Sequence, residues 1–129
     1  LIPEEYMNEY KNLYHNAEKL VGEELLQHYV GNLEALGYQK VKTKVNDNRT
    51  MITFEKETEL LLYRNGYDYE SSFSVDFEPG EYKSLTYSGK KFRYSMKKHL
   101  ICWEDEDAVY MIRCDTSEAE LLHIIKNII

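Results

Sequence analysis

The sequence predicts an α+β domain: an antiparallel meander of about six or seven strands, with two N-terminal helices and one C-terminal helix packed on one face. Three observations predict it. Apolar residues recur at helical spacing through residues 4–36. After Gly37 the period changes to two, punctuated by turn signals. A Ser-x-x-Glu start then introduces an apolar helix at 117–128. A length of 129 residues suits one domain with one core, so the expected division is 4–36 helical, 38–114 sheet and 117–128 helix.

In the N-terminal part, Leu25, Leu26, Tyr29, Val30, Leu33 and Leu36 form one helical face, opposite Glu23, Glu24, Gln27, His28 and Glu34. Gly37 stands where a helix ends in the left-handed conformation. Upstream, Tyr6, Tyr10 and Tyr14 make a stripe continued by Ala17 and Val21. Gly22 divides the segment into two helices, with one bent helix as the alternative. Val41, Thr43 and Val45 then alternate with Lys40, Lys42 and Lys44, and Asn46–Asn48 supplies a turn into a strand carrying Ile52 and Phe54. Asn65-Gly66 is a strong two-residue hairpin signal, because both residues tolerate positive φ. It predicts Arg64 opposite Tyr67, with Leu60, Leu62, Tyr69, Phe73, Val75 and Phe77 on one face up to Pro79-Gly80. Ser88-Gly89 predicts a further hairpin, with Leu85 opposite Phe92 and Tyr87 opposite Lys90.

The stretch CWEDEDAVYMIRC, Cys102–Cys114, reads as two strands around a solvated acidic turn at Glu104–Asp107. A turn at Asp105-Glu106 sets Trp103 opposite Ala108, Ile101 opposite Tyr110 and His99 opposite Ile112. Cys102 then faces Val109 while Cys114 lies near Lys97, beyond the ~7 Å Cα separation that a disulfide spans. Free thiols on opposite faces are expected. In the last helix, Ser117 and Glu120 form a capping box, and Leu121, Leu122, Ile124, Ile125 and Ile128 form the buried stripe. His123 and Lys126 fall outside it.

A net charge of −7 argues against nucleic acid as the main partner. No apolar run approaches the roughly 20 residues that span a bilayer, and the opening LIPEEYMNEY does not read as an export signal. The acidic turn lacks the glycine and ligand spacing of a calcium loop, and the dispersed histidines and cysteines lack zinc spacing. Neither cysteine has a base at a useful spacing, and no phosphate-binding or nucleophile-elbow motif occurs. The expectation is no catalytic residue, no metal and no cofactor.

Two features stay open as binding surfaces. Lys83, Lys90, Lys91, Arg93, Lys97 and Lys98 form a run without an acid, which suits either anionic headgroups and polyanions or a solubilising outer face. Tyrosine, at twelve residues and including the stripe Tyr6, Tyr10 and Tyr14, suits either a recognition surface or the half-buried face of a sheet. Trp103, the single tryptophan, is expected to pack with Ile101, Tyr110 and Ile112 beneath the C-terminal helix; the alternative is an exposed ligand anchor.

The segment SGKKFRYSMKKHLICWEDEDAVYMIRCDTSEAELLHIIKNI resembles the C-terminal part of a bacterial domain-of-unknown-function family, number 4367. The residues that carry the resemblance are Gly89, Ile101, Trp103, Glu104–Asp107, Tyr110, Ile112, Ser117, Glu120, Leu121, Leu122 and Ile125. SFSVDFEPGEY resembles the strand before them. The likeness covers roughly residues 60–129, starting at the earliest near Gly37. It implies an extracytoplasmic domain of membrane-anchored proteins, lipoproteins and anti-sigma factors, anchored through a segment outside this chain. The function then expected is non-enzymatic sensing or interaction with a protein, peptide or lipid partner. The free cysteines and the acidic charge suggest an alternative, a cytosolic binding protein such as an immunity protein that neutralises a basic toxin.

Overall fold

The computed structural model describes residues 24–46, 49–66, 81–106 and 108–129. Helix α1 (24–35) leads into seven strands: β1 (Gln39–Asn46), β2 (Arg49–Glu55), β3 (Glu59–Gly66), β4 (Lys83–Tyr87), β5 (Lys90–Ser95), β6 (Leu100–Glu104) and β7 (Ala108–Cys114). Helix α2 (Glu118–Ile128) closes the chain. All strand pairs are antiparallel, in the spatial order β1-β2-β3-β7-β6-β5-β4. The α+β class and the antiparallel sheet are therefore as expected, but two helices rather than three stand among the described residues. The expected helix before Gly22 and the tyrosines Tyr6, Tyr10 and Tyr14 lie outside them.

The sheet is two meanders joined edge to edge, not one. Asn65 and Gly66 belong to β3, with Asn65 opposite Arg49 and Val109 and Gly66 opposite Ala108, and the expected partner Tyr67 lies outside the described residues. Arg64 lies between Thr50 and Tyr110, so one side of β3 is filled by the preceding strand and the other by β7, far along the chain. Those pairings outweigh the local turn preference. The expected strand face at Tyr69, Phe73, Val75 and Phe77 lies outside the described residues.

Local chemistry accounts for the well-predicted joints. Gly37 has φ +99°, and the pair Tyr38 N–H to Leu33 O (3.1 Å) and Gly37 N–H to Glu34 O (2.9 Å) forms a Schellman end to α1. Ser88 (φ 51°) and Gly89 (φ 77°) close the β4–β5 hairpin with Leu85 opposite Phe92 and Tyr87 opposite Lys90, as the sequence predicts. Between β5 and β6, however, the chain turns at Met96–His99, where His99 has φ 53° and the Ser95 hydroxyl accepts from the Lys98 N–H at 3.2 Å. His99 is thus a turn residue and not part of a strand.

The β6–β7 register is offset by two residues from expectation. Trp103 faces Tyr110, Ile101 faces Ile112 and Cys102 faces Met111. An even offset keeps every side chain on its predicted face. The ladder runs past Glu104, because the Asp105 N–H donates to Ala108 O at 2.9 Å. Asp105 is buried, so the acidic run is not a wholly solvated tip.

One face of the sheet carries the core. Ile52, Phe54, Leu60, Leu62, Phe92, Ile101, Trp103, Tyr110, Ile112 and Cys114 pack there with Tyr29, Val30 and Leu33 of α1 and Leu121, Ile124, Ile125 and Ile128 of α2. Leu122 is half-buried, and His123 and Lys126 are exposed. Asn32 of α1 donates to Ile128 O at 2.8 Å, satisfying a carbonyl at the end of α2. On the opposite face Leu100, Cys102 and Met111 form a small cluster with Tyr63. Cys102 and Cys114 are free thiols on opposite faces, as the alternation predicts.

Candidate functional site

Three places in the fold hold chemistry: a cleft at the start of α2, a polar and aromatic cluster under α1, and the lysine-bearing ends of the sheet. The cleft, of about 360 Å³, is lined by Tyr38, Lys56, Glu57, Thr58, Thr116, Ser117 and Glu120. Ser117 caps α2 as predicted, its hydroxyl accepting from the Glu120 N–H at 3.2 Å. Glu120 does not complete the capping box; its carboxylate accepts from the Tyr38 hydroxyl at 2.9 Å. Burial, reinforced by that carboxylate, pushes the Tyr38 hydroxyl far above its ordinary pKa. The Lys56 ammonium lies 5.2 Å over the Tyr38 ring and donates to Leu36 O at 2.9 Å. Beside Tyr38, the Cys114 thiol sits 3.5 Å from the Thr58 hydroxyl, and burial raises its pKa. A nucleophilic thiol needs the opposite shift. Hydrogen bonds in and beside this cleft thus join Tyr38, just after α1, to Glu120 of α2, and Thr58, in the β2–β3 turn, to Cys114 of β7.

Under α1, the Trp103 ring is 2% exposed and stacks on Tyr110 at 5.4 Å and 8°. Tyr29 meets it edge-on at 5.3 Å, and the Phe92 ring lies tilted against it at 5.5 Å. Trp103 is expected beneath the C-terminal helix; it shares one core cluster with Leu121, Ile124 and Ile125 of α2, and its aromatic partner on a helix is Tyr29 of α1. Tyr29 also donates to Asp105 Oδ2 at 2.7 Å, and Lys90 forms an ion pair with Asp105 Oδ1. Tyr110 accepts from Arg64 Nε at 3.2 Å. Sequence reading missed Tyr29, Lys90 and Asp105 as a unit, since they lie in three separate segments and share no spacing signal.

The predicted basic run is brought onto β4, β5 and the following turn, where much of its charge is matched. Lys83 pairs with Glu118 (2.9 Å), Lys90 with Asp105, and Lys97 and Lys98 with Glu81 (2.8 and 3.5 Å). Arg93 lies 5.7 Å over the Tyr82 ring, and Lys91 is exposed.

At the other end of the sheet, β1 pairs among the described residues with β2 alone, and each of its residues is exposed. Its valines are not buried as the alternation implied: Val41 is 56% and Val45 68% exposed. Lys40, Lys42 and Lys44 have no carboxylate partner among the described residues. A long edge strand with exposed apolar side chains is an uncommon feature, because it offers unpaired backbone groups to another chain.

A family model, "Domain of unknown function (DUF4367)", matches residues 29–128. The chain belongs to this family. The matched region of the DUF4367 domain begins at Tyr29, within α1, so it is wider than the resemblance from residues 60 or 37 onward. It therefore includes the α1 residue that closes over Trp103 and Asp105, and the whole of β1. No curated protein and no solved structure matches the chain. No described helix of the DUF4367 domain is long and apolar enough to cross a membrane.

Proposed function

We infer that this DUF4367 domain is a non-enzymatic interaction domain that works outside the cytoplasm and meets its partner along β1. The observation that carries this reading is the edge itself: eight exposed residues in one strand, with Val41 and Val45 open to solvent. The resemblance to extracytoplasmic domains supports the location. The thiols do not oppose it: they are buried on opposite faces with raised pKa values, and such thiols are slow to oxidise.

The test uses the protein in its native cells. A membrane-impermeant amine reagent should label Lys126, exposed on α2 and away from β1, in intact cells; labelling that requires lysis would favour the cytosolic immunity-type reading. A photo-crosslinking residue at Val45 should capture a partner that the same residue at His123, exposed on α2, does not. Equal capture from both positions, or none from Val45, would remove β1 as the interaction surface.

A further inference from the structure

We propose that β1 accepts an extended acidic segment of a partner protein as an added antiparallel strand. This rests on the reading of β1 as the interaction edge and specifies what that edge recognises. Two observations carry it.

The first is geometric. A bulge lies between Lys40 and Lys42, but from Lys42 to Asn46 the strand holds a regular register against β2, with Lys42 opposite Thr53 and Asn46 opposite Arg49. Along such a stretch every second residue turns its N–H and C=O away from β2. Side chains alternate there too. Thr43 and Val45 lie opposite Ile52 and Thr50 on the helix-covered side, while Lys42 and Lys44 lie opposite Thr53 and Met51 on the other. An added strand would place one set of its side chains beside Thr43 and Val45 and the next set beside Lys42 and Lys44.

The second is electrostatic. Gln39–Asn46 contains three lysines and no acid, in a chain of net charge −7. None of the three has a carboxylate partner among the described residues, unlike Lys83, Lys90, Lys97 and Lys98. A second copy fits poorly as the occupant. Pairing β1 with β1 would bring lysines against lysines, and β4 (KSLTY) at the opposite end of the sheet offers no acid. A strand alternating acidic with small apolar residues satisfies both faces. Lysines that merely guard the edge would leave Val41 and Val45 without a role, so the competing description is a guarded edge that binds nothing.

The experiment follows amide hydrogen exchange of the 129-residue chain with two blocked peptides, Ser-Asp-Val-Glu-Val-Asp-Ser and its counterpart Ser-Lys-Val-Lys-Val-Lys-Ser. With the acidic peptide at about ten times its Kd, the outward amides of β1 should exchange about tenfold more slowly. The basic peptide should leave them unchanged, and added salt should weaken the effect. Lys42→Glu combined with Lys44→Glu should invert the preference; both residues are exposed, so the fold tolerates the change. The proposal is overturned if neither peptide slows β1, if both slow it equally, or if protection falls on β5 around Lys91 and Arg93. A Val45 crosslink in cells that survives the double charge reversal would leave β1 as an interaction edge and remove the acidic strand.

Discussion

At the β4–β5 end of the sheet Lys83, Lys90, Lys97 and Lys98 each have a carboxylate within ion-pair distance, whereas at the β1 end Lys40, Lys42 and Lys44 have none among the described residues. The carboxylates come from Glu118 on α2, from Asp105 beyond β6 and from Glu81. One end is knit into its surroundings and the other is left open. Basic residues clustered along the chain are therefore a poor guide to charge available for binding. What matters is whether the fold has already brought an acid to each of them. The two ends also differ in depth: β5 and β6 contribute Phe92, Ile101 and Trp103 to the core, while β1 contributes none of the buried residues.

The largest effect that would test this contrast is at Trp103, which joins β5, β6, β7 and α1 through its contacts with Phe92, Tyr110 and Tyr29. Trp103→Ala should cost about 3–5 kcal/mol in denaturant unfolding. A loss below about 1 kcal/mol, the size of an ordinary substitution, would show that this end is not locked by the aromatic cluster. The native tryptophan should also emit blue-shifted fluorescence and resist aqueous quenchers.

Next in size is Asp105, whose carboxylate holds the Tyr29 hydroxyl and the Lys90 ammonium while nearly excluded from water. Asp105→Ala leaves the Tyr29 donor without its acceptor and Lys90 without its counter-ion. The Lys90 side chain is about a third exposed, so the cost should be about 2–3 kcal/mol, below that of a fully enclosed pair. Tyr29→Phe should cost about 1–2 kcal/mol, and in the double variant the two losses should add to less than their sum. Strict additivity would mean that the hydroxyl and carboxylate do not support each other.

A smaller effect separates the open face of the sheet from solvent. Burial raises Cys102 from 9.0 to about 11, partly offset by Arg93 across the strand. Below pH 9 both folded and unfolded chains hold the neutral thiol, so it contributes no pH dependence. Between pH 9 and 11 the unfolded chain releases the proton first, and stability should fall with rising pH by at most about 2–3 kcal/mol. Comparing the pH dependence of unfolding with that of Cys102→Ala isolates this part. Identical slopes would show that Cys102 is hydrated in the fold.

How far the sequence foretold all this depended on the reach of each interaction. Gly37, Ser88-Gly89 and Ser117 act within a few residues, and each ended or began its element where the local chemistry says it should. Asn65-Gly66 carried an equally strong local signal and was overruled, because the preceding strand β2 fills one side of these residues and β7, far along the chain, fills the other. The turn at Met96–His99 has no glycine or proline to announce it; its one local sign is the Ser95 hydroxyl bonded to the Lys98 N–H. The register of β6 with β7 slipped by two because Asp105, polar and in an acidic run, turns inward to Tyr29. Of the candidate edge, the lysine and valine alternation was visible, but its place at the end of the sheet was not. Strand order is set by long-range pairing, and a strand's own pattern does not record it.

The smallest expected effect bears most directly on the comparison. Removing a side chain that has no partner should leave the folded state almost untouched, since nothing in it was holding that group. Lys42→Ala with Lys44→Ala should therefore change stability by no more than about 0.5 kcal/mol, although two charges are lost together. The added alanines shorten the side chains without altering the β1–β2 ladder, whose bonds are in the backbone. In an acidic chain, losing two positive charges also lowers the net charge from −7 to −9, a change spread over the surface and screened at ordinary salt. A denaturation midpoint that moved well outside this range would mean that Lys42 or Lys44 already meets an acid in solution. The β1 end would then be as closed as the β4–β5 end, and its lysines would no longer be available to a partner. An unchanged midpoint, together with lost protection by the acidic peptide, would instead assign these two lysines to recognition and not to the fold.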